Sequence, residues 1–228
     1  MVPWGKPNTC LPWTWYIAND FQFFLLLPIF AGLYYELSKR RKFYSTLGII
    51  ALVCTFVQLI VILANSLSVS YFTYKDEYWT VYYVKPYSRL PVFLVGVLAG
   101  CSYYTFKKEG EEVVEGHKIA KIIQALKYSP SKAVGSSVLG AFIMVMMCSF
   151  MQMINNSPND VPEFYNLLYL LVHRPLFIAG FTMVVFPILV AETKASPLRP
   201  LSEFLSHAFW VPFSRLTYGA LISHGIWM

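Results

Sequence analysis

The sequence predicts an all-α fold, a polytopic integral membrane bundle of about six transmembrane helices, and three observations carry that prediction. Hydrophobic residues make up 57% of the chain and charged residues only 13%, about half the charged share of an ordinary soluble domain. Mean hydropathy is +0.51. Apolar runs near the ~20 residues needed to cross a ~30 Å hydrocarbon core recur along the whole length. Lysine and arginine gather in alternate connections between those runs, the signature of helices that cross repeatedly.

The first span is predicted from Trp13 to Leu37, with Trp13 and Trp15 at one end and Tyr34 and Tyr35 at the other, the aromatic placement of a membrane interface. The second runs from about Thr46 to Leu67, and the third from Leu90 to Phe106, short but sufficient at low tilt. The fourth is expected over Val134 to Met153. The fifth covers Pro175 to Ala191, with LLYLLV ahead of it as an alternative start. The sixth begins near Leu216. About thirteen residues remain from there to Met228, about 20 Å of helix. That is short of a full crossing, so the chain reads as a fragment of a longer protein.

Basic residues fix the expected sidedness. Lys39, Arg40, Arg41 and Lys42 fill the first connection, six lysines from Lys107 to Lys132 the third, and Lys194 and Arg199 the fifth, while Arg215 borders the sixth span. The intervening connections hold Lys75, Lys85 and Arg89, and none between Met153 and Leu171. The positive-inside rule then places the N-terminus outside or in the lumen, in the plasma membrane or an endomembrane. The net charge of +6 belongs to these flanks, so no nucleic acid partner is expected. MVPWGKPNTCLP lacks the basic and apolar regions of a signal peptide. Asn155-Asn156-Ser157 is a glycosylation sequon on the expected outer side. HKIAKIIQALKY reads as an amphipathic or solvated loop helix.

Metal and redox chemistry find no motif. Cys10, Cys54, Cys101 and Cys148 have no CxxC spacing, and there is no HExxH and no glycine-rich phosphate loop. The informative residues are polar ones within apolar runs. WYIANDFQFF carries Asn19, Asp20 and Gln22 inside the first span. Asp at mid-helix costs about 2.5–3.5 kcal/mol on insertion scales, so such a residue turns inward, pairs or lines a wet cavity. Lys85 and Arg89 stand at the outer mouth of the third span, and His173 and Arg174 enter the fifth from the same side. These cations are expected to converge with Asp20. The group then serves either as hydrogen-bonding glue between helices or as a functional pocket, with snorkelling to headgroups an alternative for Lys85 and Arg89. Gly96 and Gly100 form a GxxxG spacing suited to helix packing. His224 sits about eight residues into the last helix, as a base, a proton relay or a packed neutral imidazole.

Four stretches, in order, carry a resemblance: CLPWTWYIANDFQFFLLLPI, YVKPYSRLPVFLVGVLAG, HRPLFIAGF and LSHAFWVPFSRLTYGALISHGIWM. Together they resemble the acyltransferase type 3 family, in the branch of the nose-resistant-to-fluoxetine proteins, over nearly the whole chain. Tyr87 stands where that family often has Trp, Phe93 where it has Tyr, and Val92 where it has proline, with Pro91 one position early. The resemblance implies a domain of roughly ten helices, of which residues 1–228 are a part, lacking N-terminal helices and the C-terminal end. It implies transfer of an acyl group from a thioester donor, acyl-CoA, to a hydroxyl acceptor, with membrane lipid as a partner and no bound cofactor or metal. Asn19, Asp20, Gln22, Lys85, Arg89, His173, Arg174, Tyr218 and His224 become pocket or substrate-binding candidates. The family's catalytic pair is an arginine with a histidine eleven residues on. No arginine here has histidine at that offset, so the base is expected upstream. A non-catalytic lipid or small-molecule carrier, or an inactive truncated product, is the alternative.

Overall fold

The structure is a computed structural model that describes residues 15–36, 40–67, 78–109, 122, 125–156, 162–190 and 196–223. Among them are seven bounded α-helices, one π-helical turn, further helical residues at 122 and 125–128, and no strand. In chain order these are α1 (Trp15–Glu36), α2 (Arg40–Ala64), the π turn (Tyr78–Tyr83), α3 (Pro86–Glu109), α4 (Pro130–Asn156), α5 (Glu163–Leu189), α6 (Arg199–Leu205) and α7 (Trp210–Ser223).

Four helices among the described residues, α1, α2, α4 and α5, are long and apolar enough to cross a membrane. The expectation of about six rests for the remainder on α3 and α7. α3 has the length, at 24 residues, but it carries Ser88, Arg89, Ser102, Lys107 and Lys108. α7 is described for 14 residues, from Trp210 rather than Leu216. The sequon's Ser157, most of HKIAKIIQALKY and His224 lie outside the described residues.

Two boundaries differ from expectation for physical reasons. α2 begins at Arg40 rather than Thr46, because Arg and Lys are good helix formers whose stems cover apolar surface. α5 begins at Glu163, not Pro175. Pro162 precedes it and Glu163 complements the helix dipole in the first turn. Pro175 and Pro187 lie inside the helix, tolerated where neighbouring side chains take up the backbone groups that a proline frees. Arg174 is therefore near the middle of α5 rather than at its mouth.

Packing follows from which faces are apolar. On α2, Ile49, Leu52, Val53, Phe56, Ile60 and Leu63 are exposed at helical spacing, a stripe suited to hydrocarbon. Phe43, Leu47, Gln58 and Ile62 on the opposite face are buried. Two apolar clusters result. One joins Phe30 of α1, Phe43 and Leu47 of α2, and Leu94 and Val97 of α3. The other joins Ile62 and Leu67 at the far end of α2 with Tyr78, Tyr82, Ile154, Tyr169 and Leu170. The end of α2 thus meets the end of α4 and the first turns of α5, so α2 and α4 run the same way and α5 runs back.

The α2 terminus shows how this end is shaped. Leu67 N–H donates to Ile62 O at 3.1 Å and Ser66 N–H to Leu63 O at 3.4 Å, the pair of bonds of a Schellman cap. Ser66 takes φ +47°, and Leu67 packs with Ile62 in the same cluster, as the motif's apolar contact requires.

The most extensive helix contact is α4 against α5. Small residues make it possible. A Cβ on Gly180 would lie 2.9 Å from Gly140 O, and a Cβ on Gly140 would collide with Gly180 O. Ser136 Oγ donates to Met183 O at 3.1 Å across the same seam. Among the described residues no such approach occurs at Gly96 or Gly100. Both are exposed, and nothing among the described residues lies within 4 Å of a Cβ built on either. The close approach falls at a pair of glycines on two different helices, which a spacing search within one helix does not reveal.

Candidate functional site

The polar residues meet where α1, the π turn, α3 and α5 come together. Arg174 is 8% exposed. Its Nη1 donates to Ser88 Oγ at 2.9 Å and its Nη2 to Tyr78 OH at 3.4 Å. Ser88, 2% exposed, donates a hydrogen bond from its hydroxyl to Lys85 O at 2.8 Å, which leaves its oxygen free to accept from the guanidinium. The Arg174 guanidinium carbon lies 4.8 Å from the Tyr82 ring centroid and 5.0 Å from that of Tyr83.

Arg89 comes to the same tyrosine. Its guanidinium carbon is 4.5 Å from the Tyr83 centroid and 5.1 Å from that of Trp15, and its Nε donates to Tyr83 O at 3.3 Å. Two cations therefore share one aromatic ring, each within the ~6 Å range of a cation–π contact. Among the described residues neither forms an ion pair, the one ion pair being Arg199 with Glu203 on the surface. Arg89 Nη2 is buried with no hydrogen-bond partner among them, and so is Asn19 Oδ1.

The π turn sets this geometry. Such turns widen the helix by a residue and recur at functional sites. Here it delivers Tyr78, Tyr82 and Tyr83 to one polar centre. Tyr82 is fully buried. Its hydroxyl donates to Leu170 O at 2.7 Å and also reaches Gln58 Oε1 at 3.1 Å. Burial pushes its pKa up to about 12, against the lowering pull of Arg174, so the group remains a donor. Gln58 Nε2 donates to Tyr87 O at 3.0 Å, and Tyr87 OH bonds Val81 O. On α5, His173 Nδ1 contacts Tyr169 O at 2.8 Å, and its ring stacks on Tyr169 at 4.7 Å. A carbonyl only accepts, so Nδ1 carries the proton and a neutral imidazole leaves Nε2 as the basic nitrogen.

The residues singled out from sequence divide accordingly. Arg89 and Arg174 converge. Asn19 is 3% exposed, with Nδ2 donating to Val84 O at 3.0 Å. Lys85 and His173 are half-buried beside the cluster. Asp20 and Gln22 are exposed, and Asp20 forms no ion pair with either arginine. The reason is helical phase. Trp15, Asn19 and Phe23 stand at i, i+4, i+8 and take the inward face, which turns the neighbours of Asn19 away. Tyr218 lies on α7 with only its backbone described, and His224 lies outside the described residues. Sequence reading missed Trp15, Tyr78, Tyr82, Tyr83 and Ser88. For Tyr78, Tyr82, Tyr83 and Ser88 the signal was the aromatic density of YWTVYYVKPYSR against two basic residues. No group of residues suited to hold a metal ion occurs among the described residues.

A family profile described as an acyltransferase domain matches residues 2–228. The chain belongs to the acyltransferase type 3 family. This acyltransferase-family chain is also 25% identical over 230 residues to Nose resistant to fluoxetine protein 6 of Caenorhabditis elegans, covering 95% of this chain and 25% of that protein. The chain thus spans about a quarter of the length of that relative. No solved structure matches it.

Proposed function

We propose that this chain is part of a membrane-bound acyltransferase that moves an acyl group from a thioester donor, acyl-CoA, to a hydroxyl acceptor. The observation that carries the reading is the coincidence of an acyltransferase family match over residues 2–228 with a buried polar centre around Arg174 between apolar helices. Lipid penalises such charges unless they are enclosed and hydrogen-bonded, and a buried ionisable group between membrane helices marks a candidate substrate pathway.

In the proposed reaction the acceptor oxygen attacks the thioester carbonyl. The C–S bond breaks, CoA leaves as the thiolate, and the hydroxyl proton passes through a base to the departing sulfur. The base is proposed to come from the longer protein. The described residues bind and orient: Arg89 and Arg174 offer charge and N–H donors, and Trp15, Tyr82 and Tyr83 hold the guanidinium planes. In the membrane the N-terminus is proposed to lie outside or in the lumen, as the alternating basic connections favour.

The full-length protein in vesicles, given acyl-CoA and a panel of hydroxyl acceptors, tests this. Acceptor-dependent release of free CoA thiol is expected, together with an acylated product. Release no faster than from protein-free vesicles across the panel, or recovery of a labelled acceptor moved across the vesicle unmodified, contradicts it.

A further inference from the structure

We propose that Arg89 and Arg174 together form the binding site for a phosphate monoester carried by the hydroxyl acceptor. This rests on the acyl-transfer reading and narrows it to a class of substrate.

Charge is the first ground. Two guanidinium groups face one Tyr83 ring, at 4.5 and 5.0 Å from its centroid, and among the described residues no carboxylate pairs with either. Aromatic faces orient such cations but leave their net charge in place. Like charges held together in a poorly solvated place call for an anion. A phosphate monoester carries about −1.5 to −2 at pH 7 and three acceptor oxygens, close to the charge of two arginines. A carboxylate would leave one cation uncompensated.

Unspent donors are the second ground. Arg89 Nη2 is buried with its N–H groups unpaired among the described residues, whereas Arg174 is anchored by Ser88 and Tyr78. One arginine is thus fixed as a wall and the other, less buried, keeps donors for a ligand. The planar fork of guanidinium suits phosphate oxygens bidentately. Asn19, 3% exposed, adds a buried oxygen without a partner among the described residues. It stands one turn from Trp15, which stacks on Arg89, and it can accept a hydrogen bond from a ligand hydroxyl. Phosphate donors and a hydroxyl acceptor on one site fit a molecule that carries both groups. A lysophosphatidic acid and glycerol 3-phosphate share that chemistry, one as a lipid and one as a soluble molecule.

The test is thermal unfolding of the intact chain in neutral detergent with three probes: a lysophosphatidic acid, glycerol 3-phosphate, and coenzyme A. The wild type is expected to melt higher with the lysophosphatidic acid or with glycerol 3-phosphate, and whichever acts identifies the source. Arg89→Gln is expected to need about 10- to 100-fold more of that probe for the same shift, from loss of charged hydrogen bonds. Arg199→Gln, in the exposed pair with Glu203, should respond as the wild type does. Arg174→Gln is expected to abolish the shift. Should that variant not fold, Arg89→Gln alone decides. No shift with either acceptor probe overturns the proposal, and so does a shift that Arg89→Gln leaves intact. A shift with coenzyme A alone also overturns it, by putting the phosphate on the donor. Because no thioester is present, the outcome is independent of acyl transfer. Binding without CoA release in the vesicle assay would sink the enzymatic reading and leave the anion site standing. CoA release without phosphate binding would do the reverse.

Discussion

At the scale of single residues, the polar centre depends on who accepts from whom. Ser88 donates to Lys85 O and accepts from Arg174 Nη1, so the hydroxyl is the coupling between α3 and α5. Replacing Ser88 with Ala removes the acceptor from a buried charged donor. A loss of about 1.5–3 kcal/mol is expected, the range for hydrogen bonds to charged groups, read from unfolding in detergent. An unchanged unfolding midpoint would mean that the guanidinium finds another acceptor. Asp20 illustrates the limit of reading polarity alone. The sequence marks it as costly in lipid, but one position decides which face it takes. Its neighbour Asn19, in phase with Trp15 and Phe23, occupies the inward place. Arg89 and Arg174 were legible as cations set at or within apolar segments. The tyrosines that hold them were not, because their convergence depends on the widened π turn (Tyr78–Tyr83), which has no simple periodic signal.

At the scale of elements, composition and charge made the helices legible, and backbone contacts decided their ends and seams. α2 stops through its Schellman cap, with Ser66 at φ +47°, a conformation that costs a residue with Cβ about 1–2 kcal/mol. Ser66→Gly is expected to raise stability by up to about 1 kcal/mol, since glycine adopts that region freely. A lower midpoint would show that the serine side chain is needed there. The seam between α4 and α5 makes a sharper contrast. Gly140→Ala sets a methyl against Gly180 O and is expected to destabilise by about 1–3 kcal/mol, as overpacking does. Gly96→Ala meets nothing within 4 Å among the described residues. It should be neutral or stabilising by up to about 1 kcal/mol through helix propensity. Equal effects of the two substitutions would refute the assignment of the seam. The GxxxG spacing in α3 locates small residues on one helix without saying what faces them.

At the scale of the whole molecule, apolar stripes face outward and a polar centre lies between the helices, the inverse of a soluble protein's arrangement. Exposed Ile49, Leu52, Phe56 and Leu63 on α2 fit hydrocarbon, while Arg174 is sheltered by α3 and the π turn. The all-α class, the family and the presence of membrane-length helices were therefore readable from the chain. The span count was less so, because α3 mixes an apolar middle with polar ends. The central claim is that the Arg89–Arg174 centre is where the acceptor binds in a membrane acyltransferase. The most direct test is the KM of the full-length protein for whichever of a lysophosphatidic acid and glycerol 3-phosphate it binds, with labelled acyl-CoA as donor, compared between wild type and Arg89→Gln. The account predicts a KM about 10- to 100-fold higher in the variant with a much smaller change in kcat, the pattern of lost substrate binding. The same KM in both proteins would contradict it.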